Sequence, residues 1–316
     1  MKHFYSKLFA ILASFLLLSA VSFAAPVNDL LSSGRMSDAV TSLTSHDDAE
    51  SLNLLSRAYY AMENWETAVK YGERAVSLDP NNASYHLWLA REYGRKAEDS
   101  KAFSAAANAK KAKNEFERAV QLDPSDVAAR LDLSEYYTEA PGIMGGGVDK
   151  ARDQAAEVAK YDPGKAHLIL ARIAVKQKHY ADAETQFRSA IQQAKNPADM
   201  WLQLADYFRQ QGRLEDMQAA VHSAMAQPRK PAESYYDAAR ELYLAGCDYP
   251  NAVQYLQSYL ASGELVESAP AFRAHYLIGE LNEKMGQNTA AAAEYQSAVT
   301  LASGFVPARL ALGRVQ

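Results

Sequence analysis

The chain has one cysteine, Cys247, in 316 residues. No intramolecular disulfide can form, so whatever holds the fold together is packing. Cys247 reads as a small residue in a turn between helices, because the neighbouring Asp248 opposes the electropositive setting a reactive thiolate needs. Histidines are few and scattered: His46, His86, His167, His179, His222 and His275 show no His-x3-His or His-Glu-x2-His spacing. Zinc ligation needs clustered, deprotonated ligands, so no metal site and no cofactor is expected. A Gly-x-Ser-x-Gly elbow and a Cys–His pair are also missing, which leaves no catalytic residue to nominate. Basic charge is in deficit, with 33 Lys and Arg against 38 Asp and Glu. That balance argues against a general nucleic-acid footprint and thus against a nucleic-acid partner. Valine and isoleucine are sparse beside alanine and tyrosine, a composition that leans helical.

Long apolar runs are confined to the N-terminus. Lys2 and Lys7 precede an almost wholly apolar stretch, Leu8 to Leu18, followed by Ser22-Phe23-Ala24 and then Ala25-Pro26. A positive start, an apolar core and a small-x-small site describe a secretory signal, here residues 1–24. The expectation is an exported protein, periplasmic or secreted. The alternative is a chain tethered to the membrane by an uncleaved signal anchor, since the apolar stretch borders on a membrane span. No later segment has the length and apolarity to cross a bilayer.

What is present beyond that is a repeat. Small residues of second helices fall at Ala68, Ala112, Ala151, Ala183, Met217, Ala252 and Ala291, spaced by 44, 39, 32, 34, 35 and 39 residues. First helices carry Leu55-Ser56-x2-Tyr59, Leu89-Ala90-x2-Tyr93, Leu133-Ser134-x2-Tyr137 and Leu204-Ala205-x2-Phe208, with weaker copies at Leu170-Ala171 and Ile278-Gly279. A small residue lets paired helices approach, and an aromatic one turn later fills the space. Asp79-Pro80, Asp123-Pro124 and Asp162-Pro163 end second helices. Gly212 and Gly286 sit where a first helix turns into a second. With a base period near 34, the pattern resembles the tetratricopeptide repeat. The resemblance implies an all-α fold, an α-α superhelix of about seven helix-pair repeats over residues 49–305. A partial repeat at 25–48 and a short helix at 306–316 are expected to cap its ends. It further implies a non-catalytic scaffold or adaptor that binds a protein or peptide segment in its concave groove.

Two insertions interrupt the ladder. The first, around Ala102 to Lys111, is rich in Ala and Lys and should lengthen one or both helices of its unit. It is similar to an insertion in eukaryotic regulator of microtubule dynamics proteins, from which no function carries over. The second runs from Glu139 to Lys150 and contains Gly142, Gly145, Gly146 and Gly147. Gly142-x4-Gly147 is followed by Val148-Asp149 instead of the Lys-Ser/Thr of a phosphate loop, and no strand precedes it, so a structural turn is expected. The alternative function, a binding module for a small anionic ligand or glycan, would use this 140–150 loop or the groove.

Helical phase places Arg57, Arg91, Glu135, Arg172, Asp206, Arg240 and Glu280 on the concave face. Tyr60, Arg95, Glu139, Lys176, Arg209 and Tyr243 follow one turn later. Arginine and tyrosine are enriched at binding hot spots. Arg57, Tyr60, Arg91, Arg95, Arg172, Lys176 and Arg240 are therefore the candidate partner-binding residues, suited to an acidic segment or a terminal carboxylate. The opposing reading is that Glu135, Glu139 and Asp206 simply pair with them. Self-association stays open.

Overall fold

The computed structural model describes residues 27–316. The expected signal segment, 1–24, lies outside the described residues. A short helix, α1, covers residues 27–32, and α2 spans Met36–Leu43. Seven antiparallel pairs follow: α3 Ala49–Ala61 with α4 Trp65–Leu78, α5 Ala83–Glu98 with α6 Ala102–Leu122, and α7 Val127–Glu139 with α8 Val148–Val158. Then come α9 Pro163–Lys176 with α10 Tyr180–Gln193, α11 Pro197–Gln210 with α12 Leu214–Met225, α13 Glu233–Ala245 with α14 Tyr249–Ala261, and α15 Ala271–Lys284 with α16 Asn288–Leu301. A last helix, α17, covers Val306–Val315. The architecture is all-α and superhelical, and no strand occurs among the described residues.

The helices start where the sequence supplies caps. Asp48, Asn64, Asn82, Asp126 and Asp162 each accept a backbone N–H from the first turn that follows, satisfying donors the helix cannot pair internally. The pairs are fastened at a repeating place. His86 of α5 bonds Glu115 of α6, His167 of α9 bonds Gln186 of α10 at 2.7 Å, and His275 of α15 bonds Glu294 of α16 at 2.7 Å. Arg130 of α7 reaches Gln154 of α8 from the same position. These residues tie first helix to second, which accounts for histidines that have no metal-binding spacing. Cys247 sits in the turn between α13 and α14, half-buried against the core.

The first insertion lengthens both helices of its unit: α5 has 16 residues and α6 has 21, against 13 or 14 in most others. The second makes a 3-10 turn at Gly142–Met144, with Gly145 at φ +86. Gly146 lies so close to Ala140 that a Cβ would sit 1.8 Å from its carbonyl oxygen. The N–H groups of Met144, Gly145, Gly146 and Gly147 all donate to backbone carbonyls of this segment or of Tyr137. Lys150 Nζ covers the Gly145 carbonyl at 2.9 Å. The loop spends these amides on itself, and it leaves Ile143 almost wholly exposed.

One arrangement has no counterpart in the repeat ladder. The stack curls until its two ends meet. Leu31, Met36, Leu43, Leu54 and Met62 share one buried cluster with Phe272, Ala298, Ala302, Phe305 and Ala308. Ser37 Oγ lies 3.0 Å from Ser303 Oγ, and the Arg273 guanidinium donates to the Ala61 carbonyl at 2.9 Å. Gly34, at φ +76, passes so close to the last pair that a Cβ would lie 2.5 Å from the Ala271 nitrogen. The terminal elements that were expected to cap open ends thus pack on each other.

Candidate functional site

Closure puts the first helices on the inside, and ion pairs join them rung by rung. Arg91 of α5 donates through Nε to Asp132 of α7 at 2.6 Å. Arg172 of α9 bonds Glu135 of α7 at 2.8 Å and Gln203 of α11 at 3.0 Å. Lys176 bonds Glu139 at 2.7 Å. Arg209 of α11 bonds Glu241 of α13 at 2.7 Å and also pairs with Asp206. Glu135, Glu139 and Asp206 therefore do pair with cations of the inner face. Burial pushes the Asp132 carboxyl above its usual range, with Arg91 pulling it the other way. Arg240 is exposed, with a 3.5 Å contact to Glu241.

Four of the candidate residues come together at the seam. The guanidinium of Arg57 lies 5.1 Å from the centre of the Trp88 ring, and that of Arg91 lies 5.0 Å from it. Arg95 stacks on Trp65 at 5.3 Å. Tyr60 meets both tryptophans edge-on, at 5.3 Å from Trp65 and 5.7 Å from Trp88. Burial raises the Tyr60 hydroxyl above its usual range, against the pull of Arg95 and Arg91. A fourth arginine, Arg273, arrives from the other end of the chain, and with Glu267 and Ser268 it completes a pocket of about 390 Å³. Trp65, Trp88 and Arg273 escaped the sequence reading. Trp88 lies one turn before Arg91 on α5 and Trp65 opens the second helix α4, outside the two groove positions read from phase, and Arg273 belongs here only because the ends meet.

The pocket is one stretch of a longer track. Tyr60, Arg91 and Arg95 also line a second hollow of about 320 Å³, which continues to Asp132, Glu135 and Tyr136. Glu135 leads on to a third, of about 260 Å³, holding Glu139, Arg172, Gln203 and Tyr207. Each arginine of the seam keeps donors to spare. Arg91 uses only Nε, and its two Nη groups have no partner among the described residues. No group of three His, Cys, Asp or Glu among the described residues is disposed to hold a metal ion.

Profiles of the tetratricopeptide repeat match residues 49–82, 144–196, 168–216 and 236–304, together more than half of the chain. The chain belongs to the tetratricopeptide repeat family. Repeats of this kind serve as protein-interaction scaffolds, and protein partners follow from them. No curated protein matches the chain by sequence. Among solved structures it is similar to PilW, a widely conserved type IV pilus biogenesis factor, at 17% identity and a TM-score of 0.44, over 73% of this chain and 98% of that one. It is also similar to MamA, at 18% identity and 0.40, over 50% and 88%. A tetratricopeptide repeat protein from Parabacteroides merdae aligns at 14% identity and 0.41, over 84% and 98%. No helix among the described residues is long and apolar enough to cross a membrane.

Proposed function

We propose that this tetratricopeptide repeat protein is a non-catalytic adaptor that holds an acidic segment of a partner protein along its inner face, anchored at the seam pocket. The observation that carries this reading is the convergence of Arg57, Arg91, Arg95 and Arg273 on Tyr60, Trp65 and Trp88. Arginine stacked on an aromatic ring is held in place at little further entropic cost, and its free edge presents parallel donors to a carboxylate. The track of three joined hollows suits an extended chain better than a compact small molecule. Arg172 lines the track further along and Lys176 pairs with Glu139 beside it; both would act as secondary contacts, and Arg240 is proposed as a rim contact. The Gly-rich loop, with four amides already bonded internally, gives no support to an anion or glycan site at 140–150. Residues 1–24 are proposed as a cleaved export signal, which places the adaptor in the periplasm or outside the cell.

Panning the purified protein against a phage-displayed library of random dodecamers tests the pocket. Acidic sequences should be enriched, and their affinity should fall at least about tenfold with Trp88→Ala or Arg91→Gln, the loss of about 1.4 kcal/mol typical of a hot-spot contact. Failure to enrich any sequence, or binding indifferent to both substitutions, would remove this reading.

A further inference from the structure

The seam pocket already contains a carboxylate, and it belongs to the protein. Glu267 lies in the segment between α14 and α15 and meets Arg57 with both oxygens: Nε donates to Oε1 at 2.9 Å, and Nη2 donates to Oε2. The two partners are separated by 210 residues and both are largely buried. This is the bidentate geometry an incoming acidic side chain would seek. We propose that Glu267 is a resident stand-in for the ligand, and that the partner's carboxylate binds by displacing it from Arg57. The inference rests on the pocket reading above and adds the chemistry of its ligand and a brake on its affinity.

Three features favour displacement over a fixed structural pair. Glu267 is not on a helix, and the backbone on either side of it is anchored independently. The Val266 N–H donates to the Tyr259 hydroxyl at 2.9 Å, and that hydroxyl donates to the Ala269 carbonyl at 2.6 Å. Rotation of the Glu267 side chain alone therefore frees Arg57, with no loop movement. Arg57 meanwhile stays stacked on Trp88, so the guanidinium remains in place when its partner leaves. Exchange of one carboxylate for another conserves the charge pairing, which keeps the buried guanidinium from being stranded. The other arginines of the pocket differ: Arg91 pairs with Asp132 of the next unit and Arg95 with Glu98 one turn on, acids that lie in the adjoining hollow, and Arg273 pairs with Glu63. A tethered carboxylate competes at millimolar effective concentration, so the apparent affinity of a free one is reduced by the fraction of time Arg57 is taken.

The test uses the full chain and a fluorescein-labelled hexaglutamate peptide, read by anisotropy at low salt. Glu267→Gln should bind the peptide at least about tenfold more tightly than the unaltered protein, and adding Arg57→Gln should abolish that gain. Equal or weaker binding by Glu267→Gln overturns the proposal. If Trp88→Ala weakens binding while Glu267→Gln leaves it unchanged, only the role of Glu267 fails. If no form of the protein binds the peptide, or Trp88→Ala binds as the unaltered chain does, the pocket reading fails with it. A closure control accompanies the measurement. Cysteines placed at Ser37 and Ser303, in a Cys247→Ser background, should crosslink equally with and without Glu267→Gln. Loss of that crosslink in the Gln variant would make Glu267 a clasp of the seam, and would also overturn the proposal.

Discussion

Asp237 holds its proton to an unusual height. Burial first, then the charges of Glu233, Asp199 and Glu241, push its carboxyl up to about 7, against a smaller opposing pull from Arg240. An unfolded chain releases that proton near pH 4. Between the two values the folded protein binds more protons than the unfolded one, so stability is lost as pH rises from about 4 through 7. Asp237→Asn should therefore raise the melting temperature at pH 8, by the equivalent of about 1–2 kcal/mol because the carboxyl keeps some contact with water. The gain should shrink at pH 5, and a gain equal at both pH values would show that charge is not its cause. Glu92 has the same sign. It is wholly buried, its Oε1 accepts from Ser56, its Oε2 has no hydrogen-bond partner among the described residues, and burial raises its carboxyl well above the ordinary range. Residue types and their phase on the first helices were legible in the sequence; the perturbation of these acids was not, since it depends on which acids of different units end up side by side.

The helix pair is the element the sequence announces best. Every first-helix motif position lies on a helix, and the small residues mark close approaches between partners. Gly279 is a weak copy of the motif by sequence, and the structure shows why a glycine is there. A Cβ would lie 2.5 Å from the ring of Tyr295, which is fully buried on α16. Gly279→Ala should destabilise the protein by about 1–3 kcal/mol through overpacking, outweighing the better helix propensity of alanine. Gly94, in the body of α5, meets nothing within 4 Å, so Gly94→Ala should stabilise by about 0.5–1 kcal/mol. Urea unfolding of the two variants checks both signs. Composition foretells the lengthening of one or both helices of the second unit as well, because an Ala- and Lys-rich insertion with no Pro or Gly has little reason to leave the helix.

Closure is a property of the whole chain. Each unit rotates slightly against the last, and only the accumulated rotation decides whether the ends miss or meet; no single repeat encodes it. Hence the seam pocket was half-visible from sequence. Arg57, Tyr60, Arg91 and Arg95 could be read from helical phase, whereas Glu267 and Arg273 join them from more than 170 residues away. Oxidation of the Ser37→Cys, Ser303→Cys pair should proceed without denaturant and stabilise the fold by on the order of 2–4 kcal/mol, seen as a rise in melting temperature that reductant reverses. A failure to oxidise would show that the ends part in solution.

Sealed ends also bear on how such a chain changes over generations. An open stack tolerates duplication or loss of a unit, because each unit touches only its neighbours. Here one more helix pair would pull Leu31 and Met36 off Phe272 and Phe305 and uncover both faces at once. Among the described residues the seven pairs are thereby tied to the seal, whereas a loop such as the one bearing Ile143, almost wholly exposed, can change without moving the ends.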